Sequence, residues 1–441
     1  MSNMTPKEIV KYLDDYIIGQ LDAKKAIAIA LRNRYRRMQL PKEIQEDIMP
    51  KNILMIGSTG VGKTEIARRL AKMMALPFVK VEASKYTEVG FVGRDVESMV
   101  RDLVNISINL VKNEHKEKNK AGIEEYVTKK IVEKLLPPLP KGATEDKKEQ
   151  YQKSFEKMKQ RVESGDADDL DIEIEINNSG DFSDATMPPE VIKVQESIMK
   201  IISSKSEKVK KEVKVKEAKE LLKAEASEKL LDFDKIKLEA VERVENGGII
   251  FIDEIDKIAV SANSNSRQDP SKEGVQRDLL PLVEGSDVNT KYGVVKTNHI
   301  LFISAGAFHL SKPSDLIPEL QGRFPLRVEL NSLDEEALYQ ILTRPKNSLL
   351  KQYKALLEVE GVNLEFDDEA IKTIAKISQM ANEKLEDIGA RRLHTVVERL
   401  LEEISFEADE KSGESITITK EMVHDRLDEV ASDEDVSRYI L

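Results

Sequence analysis

Apolar residues in this chain fall into short unbroken runs, and longer stretches between them carry apolar residues at three- and four-residue spacing. Ile53-Leu54-Met55-Ile56, Ile249-Ile250-Phe251-Ile252 and Ile300-Leu301-Phe302-Ile303 are such runs, and each predicts a strand buried on both faces. Phe78-Val79-Lys80-Val81-Glu82 alternates like a second strand, as does Asp171-Ile172-Glu173-Ile174-Glu175-Ile176, for which Glu212 to Lys216 offers a partner. Residues 5–40 read as helices, opened by Thr5 and Pro6 and patterned by Ile9, Val10 and Leu13. Helices are also predicted at 239–246, closed by Gly247, and at 274–283. From 331 to 441 the pattern is helical throughout apart from a strand at Ser415–Thr419, and a long amphipathic helix starts at Gly389 with Val396, Val397, Leu400, Leu401 and Ile404 on one face. Strands alternating with helices predict an α/β core.

The first apolar run leads directly into chemistry. After Ile56 the chain reads GSTGVGKT, with Gly57, Gly62, Lys63 and Thr64 at the G-x-x-x-x-G-K-[ST] spacing of a phosphate-binding loop. Glycines let successive backbone N–H groups aim at phosphate oxygens. Lys63 supplies neutralising charge, the following helix directs its positive end at the same anion, and the Thr64 hydroxyl suits Mg²⁺. The run at 249–252 ends in Asp253 and Glu254. A carboxylate pair at a strand end is what such a loop requires, Asp253 to hold Mg²⁺ and Glu254 to polarise an attacking water. Asp256 and Lys257 read as a surface pair in the next turn.

Other positions carry two readings. Tyr16-Ile17-Ile18-Gly19-Gln20 is a helix–helix turn with a buried isoleucine pair, or a clamp in which Ile17 and Ile18 sandwich an adenine. Tyr86 to Arg94 holds Gly90, Phe91, Val92 and Gly93, either a hairpin-like turn with Phe91 inward or a mobile loop presenting an apolar grip. Ser304 ends a strand where a γ-phosphate sensor would stand. Arg323 is a helix C-terminal cation favoured by the dipole, whereas Arg391 stands in a first helical turn against that preference, which a bound anion would explain. Tyr439, Ile440 and Leu441 end the chain as a frayed terminus or as an apolar peptide made to dock elsewhere.

Composition narrows the classes. At 441 residues the length predicts two to four domains. A net charge of −12 argues against nucleic acid as the main partner. Without cysteine there is neither disulfide nor cysteine zinc site, and the five histidines lack metal spacing. No run approaches the roughly 18 apolar residues of a membrane span, so a soluble cytoplasmic protein is expected. Between 109 and 233 lysine and glutamate dominate, which predicts a mostly helical insertion with a small core and disorder around 140–185.

Taken together, GSTGVGKT, IIFIDE, PELQGRFP, GARRLHTVVERLLEEISFEA and the ending EDVSRYIL resemble the HslU (ClpY) family of AAA+ unfoldase subunits. The resemblance covers almost the whole chain and is weakest across the insertion. It implies an AAA+ P-loop domain of 1–108 and 234–330, an intermediate insertion of 109–233 and an α-helical C-terminal domain of 331–441. It further implies a homohexamer using ATP and Mg²⁺, protein substrates, and a separate HslV-type peptidase ring. By the same resemblance Ile18 lies at the adenine, Gly60, Val61, Gly62, Lys63, Thr64 and Glu65 at the phosphates, and Glu319 at the nucleotide. Asp253 meets Mg²⁺, Glu254 activates water, Arg323 is the finger supplied in trans, and Arg391 is the second sensor. Gly90 to Gly93 match the pore loop, with phenylalanine where tyrosine is commoner, and the last eight residues match the peptidase-docking tail. No nucleophile constellation for proteolysis is present. A ClpX-like unfoldase for another peptidase and a nucleotide-gated scaffold with little turnover are the competing expectations; the first lacks its cysteine zinc module here, and Asp253-Glu254 with Arg323 argue against the second.

Overall fold

Five strands, Phe78–Glu82, Ile249–Asp253, Leu301–Gly306, Ile53–Ile56 and Leu326–Glu329, lie side by side in that order and all run parallel. The structure is a computed structural model that describes residues 4–87, 93–138, 144–176, 209–260 and 270–432. The three middle strands are buried along nearly their whole length, and Phe251 and Phe302 are sealed to 0% and 1% exposure. Burial of each such side chain contributes about 1.5–3 kcal/mol. The edge strand Leu326–Glu329 was missed by pattern because only Val328 in it is buried.

Helices cover the sheet for local reasons. Pro6–Asp14 starts with a capping box, in which the Thr5 N–H donates to Glu8 Oε2 at 2.7 Å and the Glu8 N–H to Thr5 Oγ1 at 3.4 Å. Leu21–Arg37 carries Ile27 and Leu31 into the core, but it also buries Arg34 and Arg37 at 5% exposure each. Arg34 Nη1 donates to the Gly247 carbonyl at 3.0 Å, and Nη2 to the Gly248 and His299 carbonyls at 2.8 Å each. The cation thereby satisfies the last carbonyl of the helix Phe233–Gly247 and ties it to the backbone at Gly248 and His299. Burial, with Arg37 beside it, pulls the Arg34 pKa down to about 9.

Contacts divide the chain into two units, one of Met1–Leu103, Arg243–Val288 and Val295–Leu441, the other of Val104–Glu242 with Asn289–Val294. Within the second, Lys120–Leu135, Glu145–Ser164 and Val215–Leu230 are helices, and Asp171–Ile176 pairs antiparallel with Val209–Lys214. Disorder was expected around 140–185, yet 144–176 is helix, turn and strand. Phe155, Met158 and Val162 recur on one face of the helix and pack on Ile123, Ile131 and Ile172, so this lysine-rich stretch has an apolar seam. The rest of that expectation, 139–143 and 177–185, lies outside the described residues. The partner strand also sits earlier than expected, because Lys214 is the N-cap of the next helix.

The C-terminal helices Glu335–Thr343, Leu349–Val359, Asp368–Lys384, Arg391–Phe406 and Lys420–Ser432 enclose their own core around Leu338, Ile374, Val396, Leu400 and Leu427. Ser415–Ile418 is the expected strand, and it pairs in parallel with Asn363–Phe366, a four-residue strand too short to read from pattern. Among the described residues, no helix is long and apolar enough to cross a membrane.

His299 gives the fold a pH signature. Burial, reinforced by Arg37 and Arg34, holds its pKa at about 4 against the usual 6.5. The unfolded chain therefore takes up the proton first, and stability falls as pH drops from about 6.5 to about 4. Replacing His299 by Gln should make the thermal midpoint vary less steeply with pH in that window than it does in the parent protein.

Candidate functional site

Because the five strands of the central sheet are all parallel, their carboxyl ends gather along one edge of it. Ile53–Ile56 delivers the phosphate loop there, and the helix Lys63–Met73 leaves it. Lys63 is only 9% exposed, and its Nζ donates to the Gly57 and Ser58 carbonyls at 2.5 and 2.7 Å. Burial lowers its pKa, the Arg391 charge acts in the same direction, and Asp253, Asp256 and Asp387 oppose them. A buried ammonium at a helix N-terminus, beside a second cation, favours an anion.

Gly60 and Gly389 make the tightest approach. A Cβ on Gly60 would stand 2.0 Å from the Ile388 carbonyl oxygen, and one on Gly389 2.6 Å from the Thr59 carbonyl oxygen. Both residues have positive φ, 77° and 57°, where side chains are rare. The Ala390 N–H donates to the Gly60 carbonyl at 3.3 Å, which joins the loop to the turn that launches Arg391–Phe406. The two first-turn arginines of that helix differ. Arg391 is exposed and its charge reaches Lys63, whereas Arg392 is buried, with Nε on Asn382 Oδ1 at 3.2 Å and Nη2 on the Glu386 carbonyl at 2.8 Å.

Glu82 stands beside Asp253 in the sheet, and Ile252 beside Ser304. Asp253 Oδ2 accepts from Thr64 Oγ1 at 3.3 Å and from Lys80 Nζ at 2.8 Å, while Oδ1 accepts the Glu254 N–H at 3.1 Å. A hydroxyl and a carboxylate this close form a hard-oxygen pair that fits Mg²⁺, which takes few protein ligands besides phosphate and water. Among the described residues no group of three or more His, Cys, Asp or Glu side chains could hold a metal ion. Glu254 leaves the strand at φ 57° and is exposed, with Ser84 Oγ donating to Oε2 at 3.4 Å. Ser304 does not end its strand as expected, because the buried strand runs on through Ala305 to Gly306; it is fully buried, and its Oγ has no hydrogen-bond partner among the described residues. Asp256 is not the surface residue expected from sequence. It is half-buried, its Oδ1 lies 2.9 Å from where a Gly306 Cβ would stand, and its charge favours protonated Lys63. Lys80 and Asp387 were likewise missed, since neither belongs to a recognisable spacing.

The Tyr16–Gln20 turn abuts the loop, with Ile17 Cγ2 3.8 Å from where a Gly62 Cβ would stand. Ile17 is buried in the core, Ile18 half-buried. Lys24, 1% exposed, braces the turn by donating to the Ile17 carbonyl at 2.6 Å and Asp14 Oδ1 at 2.7 Å. Val61 is buried, and Glu65 Oε1 accepts from Arg69 Nε at 2.5 Å. Arg323 lies elsewhere. Its carbonyl accepts from Asn52 Nδ2 at 3.1 Å, and its guanidinium pairs with Glu284 at 2.7 Å. Asn52 precedes the strand Ile53–Ile56, and Gly57, just past that strand's other end, is about 16 Å away at the usual rise per strand residue. Glu319 is exposed on the same short helix, Pro318–Arg323. Of the expected grip, Gly93 is described, next to the bridge between Tyr86 and Arg94. Gly90, Phe91 and Val92, like Tyr439, Ile440 and Leu441, lie outside the described residues.

Three family matches cover these parts. Residues 53–137 match the ATPase family associated with various cellular activities (AAA), residues 181–327 the AAA domain (Cdc48 subfamily), and residues 333–408 the C-terminal, D2-small domain, of ClpB protein. Among curated relatives, the ATP-dependent protease ATPase subunit HslU of Campylobacter jejuni serotype O:2 is 67% identical over 439 residues, covering 100% of both chains. That of Helicobacter pylori strain G27 is 66% identical, covering 100% of this chain and 99% of the relative. With the nucleotide-binding geometry and full-length identity in agreement, the chain belongs to the HslU family, the ATPase subunits of ATP-dependent proteases.

Proposed function

We propose that this ATPase works as a homohexameric ring in the cytoplasm, unfolding protein substrates and passing them to a separate HslV-type peptidase. The observation that carries the ring is the position of Arg323 at the opposite end of the sheet from its own phosphate loop. An arginine so placed reaches a nucleotide only on a neighbouring copy, and a finger supplied in trans is worth roughly 10³ to 10⁵ in rate.

In this reading Ile17 and Ile18 hold the base, and Gly60 to Glu65 hold the phosphates, with Lys63 on the β/γ oxygens. Thr64 and Asp253 would hold Mg²⁺, which when bound supplies charge neutralisation at the phosphates. Glu254, turned out of the strand beside Asp253, takes a proton from the attacking water. Ser304 and Arg391 report on the γ-phosphate, and Glu319 serves the nucleotide from the helix that bears Arg323. Movement of Arg391 is conveyed to the C-terminal helices because its helix belongs to their core.

A ring also answers the mechanical requirement. One apolar grip such as Phe91 contributes about 1.5–3 kcal/mol, whereas a folded substrate resists with roughly 5–15 kcal/mol. Several loops acting in turn overcome what one cannot. In this reading the insertion of 109–233 supplies no group to this chemistry, and the tail at Tyr439 to Leu441 docks on the peptidase.

Glu254→Gln should keep nucleotide affinity and lose steady-state phosphate release by roughly 10² or more; turnover near the parent rate would rule out its role as base. Arg323→Ala should bind ADP normally and lose hydrolysis by roughly 10³, and mixing it with Lys63→Ala subunits, which retain Arg323, should restore part of the rate. Phe91→Ala should hydrolyse ATP while failing to degrade a folded reporter in the presence of the peptidase. Loss of Tyr439 to Leu441 should abolish peptidase stimulation and leave ATP hydrolysis in place.

A further inference from the structure

Gln20 closes the Tyr16–Gln20 turn in the left-handed region, at φ 54° and ψ 40°, directly after Gly19 at φ 64°. Glycine would adopt this backbone with less strain. The side chain explains why glutamine stands there. Gln20 is 7% exposed, its Nε2 donates to the Asn331 carbonyl at 2.8 Å, and its Oε1 accepts the Asn331 N–H at 2.9 Å. A carboxamide carries a donor and an acceptor in one plane, so it pairs with both backbone groups of a single residue as a neighbouring strand would.

Asn331 is the root of the C-terminal helices. Leu330 before it donates its N–H to the Ile56 carbonyl at 2.7 Å, at the mouth of the phosphate loop. Asp334 after it caps Glu335–Thr343, whose Leu338 and Leu342 enter the C-terminal core. Beyond the far end of that helix, the Lys346 N–H donates to the Asp15 carbonyl at 3.2 Å, and its Nζ pairs with Asp15 Oδ2 at 2.7 Å. The turn, together with Asp15 just before it, therefore holds the first C-terminal helix at both of its flanks. Of the two ties, the Lys346 pair is exposed and weak, while the Gln20 clasp is sheltered and bidentate.

We propose that Gln20 is a positioning residue, clasping the base-binding turn to residues 330–334 so that filling the base pocket and fixing the root of the C-terminal helices are one event. This rests on the reading that Ile17 and Ile18 hold the base. Base occupancy then orders the linker from one side while Arg391 reads the phosphates from the other.

Three variants of the full chain test it. Gln20→Gly removes the clasp and relieves the backbone strain. Asn331→Ala leaves the clasp intact, because both bonds are to the Asn331 backbone. Ile18→Ala tests the pocket itself. ADP, GDP and inorganic triphosphate affinities are measured by calorimetry, and amide exchange over 330–343 is followed with and without ADP. Gln20→Gly should weaken ADP about tenfold, the loss of two net hydrogen bonds, narrow the ADP-over-GDP preference, and abolish the slowing of exchange over 330–343 by ADP. Asn331→Ala should behave as the parent in all three. Unchanged ADP affinity and linker protection in Gln20→Gly overturns the proposal. So does equal weakening of ADP, GDP and inorganic triphosphate with a lowered thermal midpoint, the mark of a purely structural contact. If Ile18→Ala narrows the base preference and Gln20→Gly does not, the pocket stands and the clasp falls. If Ile18→Ala leaves the preference untouched, the pocket reading fails and takes the proposal with it.

Discussion

Two backbone turns meet with no room for a side chain between them, and the site depends on that meeting. Gly60 in the phosphate loop and Gly389 before the Arg391–Phe406 helix approach so closely that a methyl group on either would strike a carbonyl oxygen. The contact draws the start of a C-terminal helix against a loop at the opposite end of the sequence, and in doing so brings the Arg391 charge to Lys63. Like charges held near each other, one of them buried, are unfavourable unless something negative shares them. Asp253, Asp256 and Asp387 offset part of that charge within the protein, and a triphosphate is suited to offset the remainder.

Sheet polarity does the rest of the arranging. In a parallel sheet the loop after Ile56 and the carboxylates after Ile252 fall at one edge without any further device, with Ser304 two residues short of that end in its own strand. The same polarity sends the turn before Leu326 to the other edge, and Arg323 with it. A single geometric rule therefore places the phosphate loop and its carboxylates at one end of the sheet and Arg323 at the other, the separation on which the proposed ring rests.

Much of this was legible in sequence because buried parallel strands carry unbroken apolar runs and the phosphate loop has a fixed spacing. The edge strand Leu326–Glu329 and the short Asn363–Phe366 were not, since each buries too few residues to leave a period. The helix Glu145–Ser164 hid behind its lysines, which outnumber the seam of Phe155, Met158 and Val162 in any composition count. Arg34 and Lys24 were illegible for another reason. Charged residues read as surface, and only the carbonyls they meet, at Gly247, Gly248, His299 and Ile17, show why burial is tolerated. Asp256 was misread as a surface acid because the left-handed turn at Glu254, which swings the chain back toward the phosphate loop, has no sequence signal in a non-glycine residue.

The route from nucleotide to grip in the proposed function is correspondingly short. Glu82 lies beside Asp253 in the sheet, and one 3-10 turn, Ala83–Lys85, leads from it to Tyr86. Within that turn Ser84 hydrogen-bonds Glu254. Tyr86 is 5% exposed and bridges to Arg94, so both ends of the segment bearing Phe91 are anchored at one place. Burial pushes the Tyr86 phenol up to about 12, so the anchor stays uncharged across physiological pH. The exposed ion pairs around it, Arg94 with Asp102 and Arg101 with Glu97, are each worth roughly 1 kcal/mol or less and cannot hold the root against a displacement of the strand. In the proposed function a displacement at Glu254 would have one turn to cross, from Ser84 to the buried Tyr86, before it reached the base of the loop.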